Sequence, residues 1–261
     1  MKVRVAILVM AVILGLSANA FANALLVENL LPWNWNSNSD TLTAIGIAYN
    51  KIGSDQLAST DLSAYTFVVF SSVQDQNFYD DVAANKAAVD SYVANGGTLI
   101  AHSALWGWPA NGIWTAPNFL PGGVNRVQEY SNSVNITDPL SPIVSGPYGT
   151  LTEAEFQAWD YTTHGYFTNL VAGTEIALDL NDINKPIYIT YPFGLGEVRA
   201  SMMTVEWGEN DAFNTRYIFR ENEFYAGQFV PPQDNVVPEP TTMLLFGLGL
   251  AGLAFKRKKL S

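Results

Sequence analysis

The chain has 261 residues, a length that fits one domain of ordinary size or two small ones. Apolar residues make up 48% of it and aromatic residues 13%, which excludes an intrinsically disordered chain. The formal charge of −11 argues against the basic surface of a nucleic-acid-binding protein, so no nucleic-acid partner is expected. The lack of cysteine excludes a disulfide framework, a thiolate metal site and a cysteine nucleophile.

Residues 1–22 have the pattern of a secretory signal peptide. Lys2 and Arg4 supply the positive start, and an apolar run covers residues 5–16. Two cleavage sites with small residues follow, Ala18-Asn19-Ala20 and Ala20-Phe21-Ala22. The alternative is an N-terminal membrane anchor, although the apolar run is short for a bilayer span.

The C-terminus carries a second signal in three parts. Pro238-Glu239-Pro240 comes first, an apolar segment covers residues 243–255, and a basic cluster covers residues 256–259. The apolar segment has 13 residues, fewer than the roughly 20 that span a bilayer well. In composition and order, residues 237–261 resemble a PEP-CTERM sorting signal. A plain C-terminal membrane anchor, with a transmembrane helix, is the alternative.

The resemblance to a PEP-CTERM signal implies a destination and a partner. The partner is an exosortase-type membrane protease that cuts near the signature, with transient or permanent membrane contact through the apolar segment. The hosts of such proteins are typically Gram-negative bacteria that make exopolysaccharide. The resemblance therefore implies export to the cell envelope or extracellular matrix of a Gram-negative-type bacterium, and it implies nothing about activity.

Between the two signals lies a strongly acidic body. Residues 23–236 contain 23 acidic and seven basic residues, so their formal charge is near −16. This charge favours solubility and repulsion from anionic surfaces. A body of 214 residues is long enough to bury a core that is stable without disulfides.

The first half of the body alternates predicted strands and helices. The predicted strands cover residues 24–28, 65–70 and 98–102. One predicted helix is capped by Asp40, with apolar residues at Leu42, Ile45, Ala48 and Ile52, and the other covers residues 77–95. This alternation is typical of a parallel sheet covered by helices.

The second half is richer in strands and turns. Extended segments are predicted at residues 124–130, 175–180, 186–191 and 197–204, and a last helix at 213–220. Residues 226–236 have the composition of a linker. The predicted organisation is therefore a signal peptide (1–22), an α/β domain (23–225), this linker and the sorting signal (237–261).

One segment of the body, residues 92–104, reads Tyr-Val-Ala-Asn-Gly-Gly-Thr-Leu-Ile-Ala-His-Ser-Ala. It is similar to the central strand segment of the class I glutamine amidotransferase-like superfamily, which the body resembles. The ThuA-like branch is the most similar, because it also places a histidine and a serine after this strand. Shorter matches are Asp61-x-x-x-Tyr65, Asp138-Pro139-x-x-Pro142-Ile143 and Phe193-Gly194-x-Gly196-x-Val198. The resemblance implies a flavodoxin-like α/β fold, with a mainly parallel sheet and helices on both faces.

The chain departs from this superfamily at the nucleophile. Active amidotransferases carry a cysteine just after the central strand, and this chain has His102-Ser103 there and no cysteine. The later His-x-Glu pair is also missing. Glutaminase activity is therefore not expected, and no cofactor is predicted.

His102 and Ser103 are nevertheless candidate site residues, because ligands bind at the carboxyl ends of parallel strands. His102 is either a general base or ligand-binding residue, or a hydrogen-bonded residue at the strand end. A triad of Ser103, His164 and a carboxylate is conceivable, but the G-x-S-x-G pattern is absent. Residues 179–184 alternate oxygen-bearing side chains, yet a polar turn explains them better than a calcium loop, and no metal site is predicted.

Five of the seven tryptophans fall into two predicted loops. Trp33 and Trp35 follow the first strand, and Trp106, Trp108 and Trp114 follow the strand that ends at His102. Large flat side chains in polar loops are suited to stacking on sugar rings. The amides of Asn34, Asn36 and Asn111 could bond sugar hydroxyls, and the scarcity of cations favours a neutral glycan. The alternative is that the loops bury their own aromatic rings.

Three functions follow from these patterns. The leading hypothesis is a non-catalytic surface or matrix protein whose tryptophan-lined edge binds carbohydrate, such as the host's exopolysaccharide. The second is a ThuA-like sugar-modifying enzyme that uses His102 with a carboxylate such as Asp160 or Glu206. The third is a structural matrix protein without a small ligand.

Overall fold

Residues 23–104, 118–159, 161–207 and 215–229 are described by a computed structural model of the chain. The chain divides into two compact units, residues 1–230 and 231–261, and the second lies outside the described ranges. The two predicted terminal signals also lie outside them. Within the described ranges, no helix is both long enough and apolar enough to cross a membrane.

A single sheet of eight strands organises the first unit. Its order is β2-β1-β3-β4-β12-β11-β10-β6. The first five strands are parallel: β2 (Ala48–Ile52), β1 (Asn23–Val27), β3 (Phe67–Phe70), β4 (Thr98–His102) and β12 (Gly196–Ser201). The remaining three are antiparallel: β11 (Pro186–Phe193), β10 (Glu175–Asp179) and β6 (Asn135–Ile136). Four strands form two small antiparallel pairs: β5 (Asn125–Ser131) with β9 (Thr163–Thr168), and β7 (Ser145–Gly146) with β8 (Gly149–Thr150).

Helices cover both faces of the sheet. They are α1 (Ser37–Ala44), α2 (Gln76–Ala84), α3 (Lys86–Ala94), α4 (Glu153–Gln157) and α5 (Thr215–Gly227). Because side chains alternate along a strand, Leu25 and Val27 of β1 join the cluster that holds α2 and α3. Ala24 and Leu26 join the opposite cluster, with side chains of α1 and α5. The predicted flavodoxin-like class, with a mainly parallel sheet between helices, is confirmed.

The prediction of a helix from Asp40 to Ile52 is wrong over its second half. Helix α1 begins before Asp40 and ends at Ala44, and residues 48–52 form the edge strand β2. Gly46 has a φ of 73°, a left-handed conformation that suits glycine after a helix end. Ile45 and Ile52 match helical spacing by coincidence, since Ile52 belongs to a strand. Because β2 is an exposed edge strand, it lacks the alternation of apolar and polar residues that would have marked it as a strand.

The helix predicted at residues 77–95 is two helices, α2 and α3. They meet at Asn85, whose φ of −98° and ψ of 10° depart from helical values. The Asn85 side chain donates a hydrogen bond to the carbonyl of Asp81 at 2.8 Å, and such local bonds compete with a continuous helix. At the end of the domain, α5 extends through residues 226 and 227, which the sequence had placed in the linker.

Gly196, at the start of β12, lies where the strand passes closest to the end of α3. A Cβ atom here would lie 2.2 Å from the carbonyl oxygens of both Gly97 and Val93. Backbone atoms cannot rotate away, so Gly196→Ala should lower the free energy of unfolding by about 3 kcal/mol. Gly46→Ala is the matched control, because it adds strain but meets nothing within 4 Å, and should cost about 1 kcal/mol. Urea unfolding measures both, and equal losses would contradict the close approach.

Candidate functional site

Buried polar side chains gather at the carboxyl ends of the parallel strands. Glu28 follows β1, Ser71 and Ser72 follow β3, His102 ends β4, and Glu206 lies shortly after β12. All five are buried. The strand order reverses between β1 and β3, and ligands of open α/β sheets bind at such reversals.

His102 lies between two glutamates and is 1% exposed. Its Nδ1 is 3.0 Å from Oε1 of Glu206, and its Nε2 is 2.7 Å from Oε2 of Glu223 on α5. The imidazole also stacks on Phe224, with ring centroids 6.0 Å apart. His102 therefore joins the end of the central strand to α5 and to the segment after β12.

The charges of this group follow from its surroundings. Burial by itself would lower the pKa of His102, but the carboxylates of Glu223 and Glu206 raise that pKa to about 10. Burial acts to raise the pKa of Glu206, but His102, Ser72 and Asn38 together bring it below its ordinary value. The ring is therefore an imidazolium at neutral pH, with both of its N–H groups engaged. A general base needs a neutral ring with an available nitrogen, so the geometry favours a role in holding the strand end.

The Glu206 carboxylate accepts further hydrogen bonds. Asn38 Nδ2 of α1 donates to Oε1 at 2.5 Å, and the backbone N–H of Ser72 donates to Oε2 at 3.1 Å. The Ser72 hydroxyl donates to the same carboxylate. Glu206 thus collects donors from α1, from the end of β3 and from His102, and these hydrogen bonds stabilise its negative charge in a buried position.

A second carboxylate, Glu28, continues the network to the sheet edge. Asn38 Nδ2 donates to Ser71 Oγ at 2.9 Å, and Ser71 Oγ donates to Glu28 Oε2 at 2.7 Å. Lys51 Nζ of β2 is 2.5 Å from Glu28 Oε1. Burial raises the pKa of Glu28, although Lys51 and Ser71 oppose that shift. A continuous chain of hydrogen bonds therefore runs across the carboxyl ends from the edge strand to α5.

The structure gives little support to a triad of Ser103 and His164. The Ser103 hydroxyl donates to the carbonyl of Ala101 at 3.4 Å, so among the described residues its partner is backbone and not a histidine. The nucleophile-to-base hydrogen bond that a triad needs is not formed there. Asp160, the other carboxylate proposed beside Glu206, lies outside the described residues.

The segment with alternating oxygen-bearing side chains is a turn between β10 and β11. Asp179 Oδ1 accepts from the N–H of Asp182, and Asp182 Oδ1 accepts from the N–H and side chain of Asn184. Its acceptors thus serve the turn itself. In the described part of the chain, no three histidine, aspartate or glutamate side chains are grouped as a metal site requires.

An aromatic cluster lies beside this edge, and we call Trp33, His164 and Tyr130 the edge cluster. The Trp33 and His164 rings meet edge-on with centroids 6.0 Å apart, and Tyr130 contacts His164 at 4.8 Å. The N–H of His164 donates to the carbonyl of Met202, directly after β12, which places the cluster at the carboxyl ends. Tyr130 is 46% exposed.

The backbone around Trp33 is strained. Trp33 and Asn34 have φ values of 48° and 66°, a left-handed conformation that is uncommon for a bulky residue. Trp33 and Trp35 are half-buried, whereas Asn34 and Asn36 are exposed. Strain of this kind concentrates at functional sites. Trp106, Trp108, Asn111 and Trp114 lie outside the described residues, so their place at this edge stays a prediction.

The sequence indicated only part of this site. It paired His102 with Glu206 as one option, and the structure brings these two together. It missed Glu223, Asn38, Ser72 and Tyr130. No local spacing marks these four, because each reaches the site through the packing of a different element. The one available signal was the helical spacing of Glu223, which lies four residues after Phe219 and three before Ala226.

Comparison with known proteins supports the sorting signal. A family model described as the PEP-CTERM protein-sorting motif matches residues 236–258, which include Pro238, Glu239 and Pro240. The chain thus carries the motif of exported proteins sorted at the cell envelope, and the motif implies processing by an exosortase, a membrane protease.

A curated relative matches part of the body. An uncharacterized protein from Clostridium acetobutylicum is 26% identical over 176 residues, which make up 66% of this chain. The match spans 17% of the relative's own length, so the relative extends far beyond the region that it shares with this chain.

Solved structures share the fold. A cytoplasmic protein from Salmonella typhimurium superposes with a TM-score of 0.52 at 14% identity, over 80% of this chain and 98% of that one. A Thermoplasma acidophilum protein, provisionally assigned as part of a GMP synthase, gives 0.51 at 13% identity, over 79% and 96%. At these identities the likeness shows the fold alone, which is a flavodoxin-type α/β fold.

Proposed function

We propose that this protein is a non-catalytic surface or matrix protein of a Gram-negative-type bacterium, and that the edge cluster binds a neutral glycan of the host's exopolysaccharide. The observation that carries the proposal is the contact of Trp33 and Tyr130 with His164, which leaves nearly half of the Tyr130 surface exposed. Aromatic rings fixed in this way are suited to the apolar faces of sugars.

Neighbouring groups supply the polar half of such a site. Asn34 is exposed next to Trp33, and Gln128 Nε2 donates to Tyr130 Oη at 2.6 Å. Amides can both donate to and accept from sugar hydroxyls. The acidic body, with a charge near −16, would repel an anionic polysaccharide, which supports a neutral ligand.

The saturated surroundings of His102 support a protein that does not catalyse a reaction. Both ring nitrogens are bonded to carboxylates, and the ring is 1% exposed. The contact of His102 with Glu206 is also what favours the second candidate, a ThuA-like sugar-modifying enzyme. In that function one of these hydrogen bonds would open to admit substrate.

The terminal signals set the proposed route to the surface. Residues 1–22 would direct export, and the apolar segment 243–255 would contact the membrane until an exosortase cuts near Pro238-Glu239-Pro240. The body would then remain in the envelope or the extracellular matrix, where it would meet the proposed exopolysaccharide ligand.

Titration of the full chain with oligosaccharides from the host's exopolysaccharide tests the binding site. Trp33→Ala and Tyr130→Ala should each weaken binding at least about tenfold, since one stacked ring is worth about 1.4 kcal/mol or more. The matched control is Tyr148→Ala, whose half-exposed ring packs on Tyr225 away from the edge cluster, and which should bind normally.

Two results would overturn this function. Unchanged affinity in both edge-cluster variants would remove the site. A sugar-dependent turnover that His102→Gln abolishes, in a protein that remains folded, would establish the enzyme instead.

A further inference from the structure

We propose that the protein has a second binding site, for a small uncharged polyhydroxylated ligand of monosaccharide size, at the opposite end of the sheet. A cavity of about 500 Å³ lies where β3 and β4 begin. The segment before β3, residues 60–66, forms one wall, and the last turn of α3 with Gly96 and Gly97 forms the other. Small-molecule sites in proteins commonly have volumes of this order.

Two tyrosines give the cavity fixed aromatic walls. Tyr92 is 8% exposed, and its hydroxyl bonds to the carbonyls of Tyr65 at 3.2 Å and Thr98 at 3.3 Å. The Tyr65 hydroxyl accepts from Asn50 Nδ2 at 2.8 Å. Rings held by such bonds do not have to be ordered when a ligand binds, which favours affinity.

The position of the Tyr92 ring depends on a glycine. A Cβ atom on Gly97 would lie 2.2 Å from Cζ of Tyr92, so the ring can rest on this backbone only because residue 97 has no side chain. The ring therefore covers the backbone at the start of β4, and the small part of it that stays exposed lines the cavity. An apolar ring next to polar groups suits a ligand with one C–H face and several hydroxyls.

The polar lining is rich in hydrogen-bonding groups and contains no cation. Ser63, Ser91 and Asn95 are exposed around the cavity, and none of its lining residues is lysine, arginine or histidine. Asp61 uses Oδ1 to bind the N–H and hydroxyl of Ser63, at 3.0 and 2.7 Å. A carboxylate beside a helix C-terminus accepts hydrogen bonds and disfavours anions. These groups match a ligand that donates several O–H bonds.

The second site is independent of the edge cluster. The cavity lies at the amino ends of parallel strands whose carboxyl ends carry His102 and the edge cluster. A strand of five residues such as β4 separates the two ends by about 16 Å. Each site can therefore lose its ligand while the other retains it.

Saturation-transfer NMR and calorimetry on the full chain test the second site with methyl glycosides of glucose, galactose and mannose. We expect at least one to bind with a millimolar dissociation constant, as is reasonable for so small a ligand. Ala88→Trp, at an exposed position of the cavity wall, should fill the cavity and abolish this binding. Asp61→Ala should weaken it about tenfold through the loss of one charged acceptor.

The control is Asp90→Asn, which removes a charge from α3, the helix that carries Ala88. Asp90 pairs with Lys86, and neither residue lines the cavity. This variant should leave binding unchanged, and circular dichroism checks that each variant is folded. Choline and glucuronate serve as charged probes. Lack of binding by all three glycosides, equal binding to folded Ala88→Trp, or a preference for either charged probe would each overturn the proposal. Exopolysaccharide binding by the edge cluster would remain intact in every one of these cases.

Discussion

Replacing His102 with alanine should lower the free energy of unfolding by about 3–5 kcal/mol, because removal of one partner leaves buried charges without compensation. The His102 side chain is fully buried, and the side chains of Glu206 and Glu223 that face it are buried as well. The variant also loses the stacking on Phe224. Chemical denaturation at pH 7 measures the loss.

Two further variants make this result specific. Lys86→Ala removes an ion pair with Asp90 that is partly exposed, and should change stability by less than about 1 kcal/mol. Adding Glu223→Gln to His102→Ala removes one of the uncompensated charges. The double variant should therefore lose less stability than the sum of the two single variants. A loss below about 1 kcal/mol for His102→Ala would mean that the ring is not charged in the native state.

Stability should also fall as the pH rises from 6.5 toward 10. The ordinary pKa of histidine is 6.5, and in the folded protein the carboxylates hold that of His102 at about 10, against the effect of burial. Because the pKa of His102 is higher in the folded than in the unfolded chain, its protonation stabilises the native state, and this stabilisation is complete below pH 6.5. Above that pH the unfolded chain releases its proton while the native chain keeps it. The free energy of unfolding should then decrease by up to roughly 1.4 kcal/mol per pH unit.

Histidine variants assign this slope. The chain has two histidines, so His164→Gln is the matched control and should retain the slope, whereas His102→Gln should remove most of it. The measurement belongs between pH 7 and about 9.5. At higher pH buried tyrosines contribute as well, since burial raises the pKa of Tyr79 to about 12. A flat profile for the unchanged protein would contradict the pairing of His102 with both glutamates.

The fold was predictable where sequence patterns coincide with burial. The strand at residues 98–102 was placed correctly, because a strand buried on both faces is a continuous apolar run with a glycine pair before it. Edge strand β2 was mistaken for helix, because its exposed residues leave no clear alternation. The break at Asn85 was missed for another reason, since the apolar spacing continues across it.

The site was predictable only to the extent that topology determines it. The end of a central parallel strand singled out His102, since such ends meet at one edge of a sheet. Glu223 lies 121 residues further along the chain, and α5 brings it to His102 by docking on the far face of the sheet. Such a contact depends on tertiary packing and leaves no spacing pattern. The charge of His102 depends on this contact, so the sequence indicated the residue but not its protonation state.

The two borders of the main sheet limit how copies of the protein can pair through that sheet. One border is β6, with two residues, and the other is β2, where the Lys51 ammonium is held at the Glu28 carboxylate. A very short strand and a charged strand are both poor templates for pairing with a neighbouring sheet. The main sheet is thus protected against pairing edge to edge with another copy into a continuous fibril. In the proposed function, copies would instead be held together by binding the same polysaccharide chain.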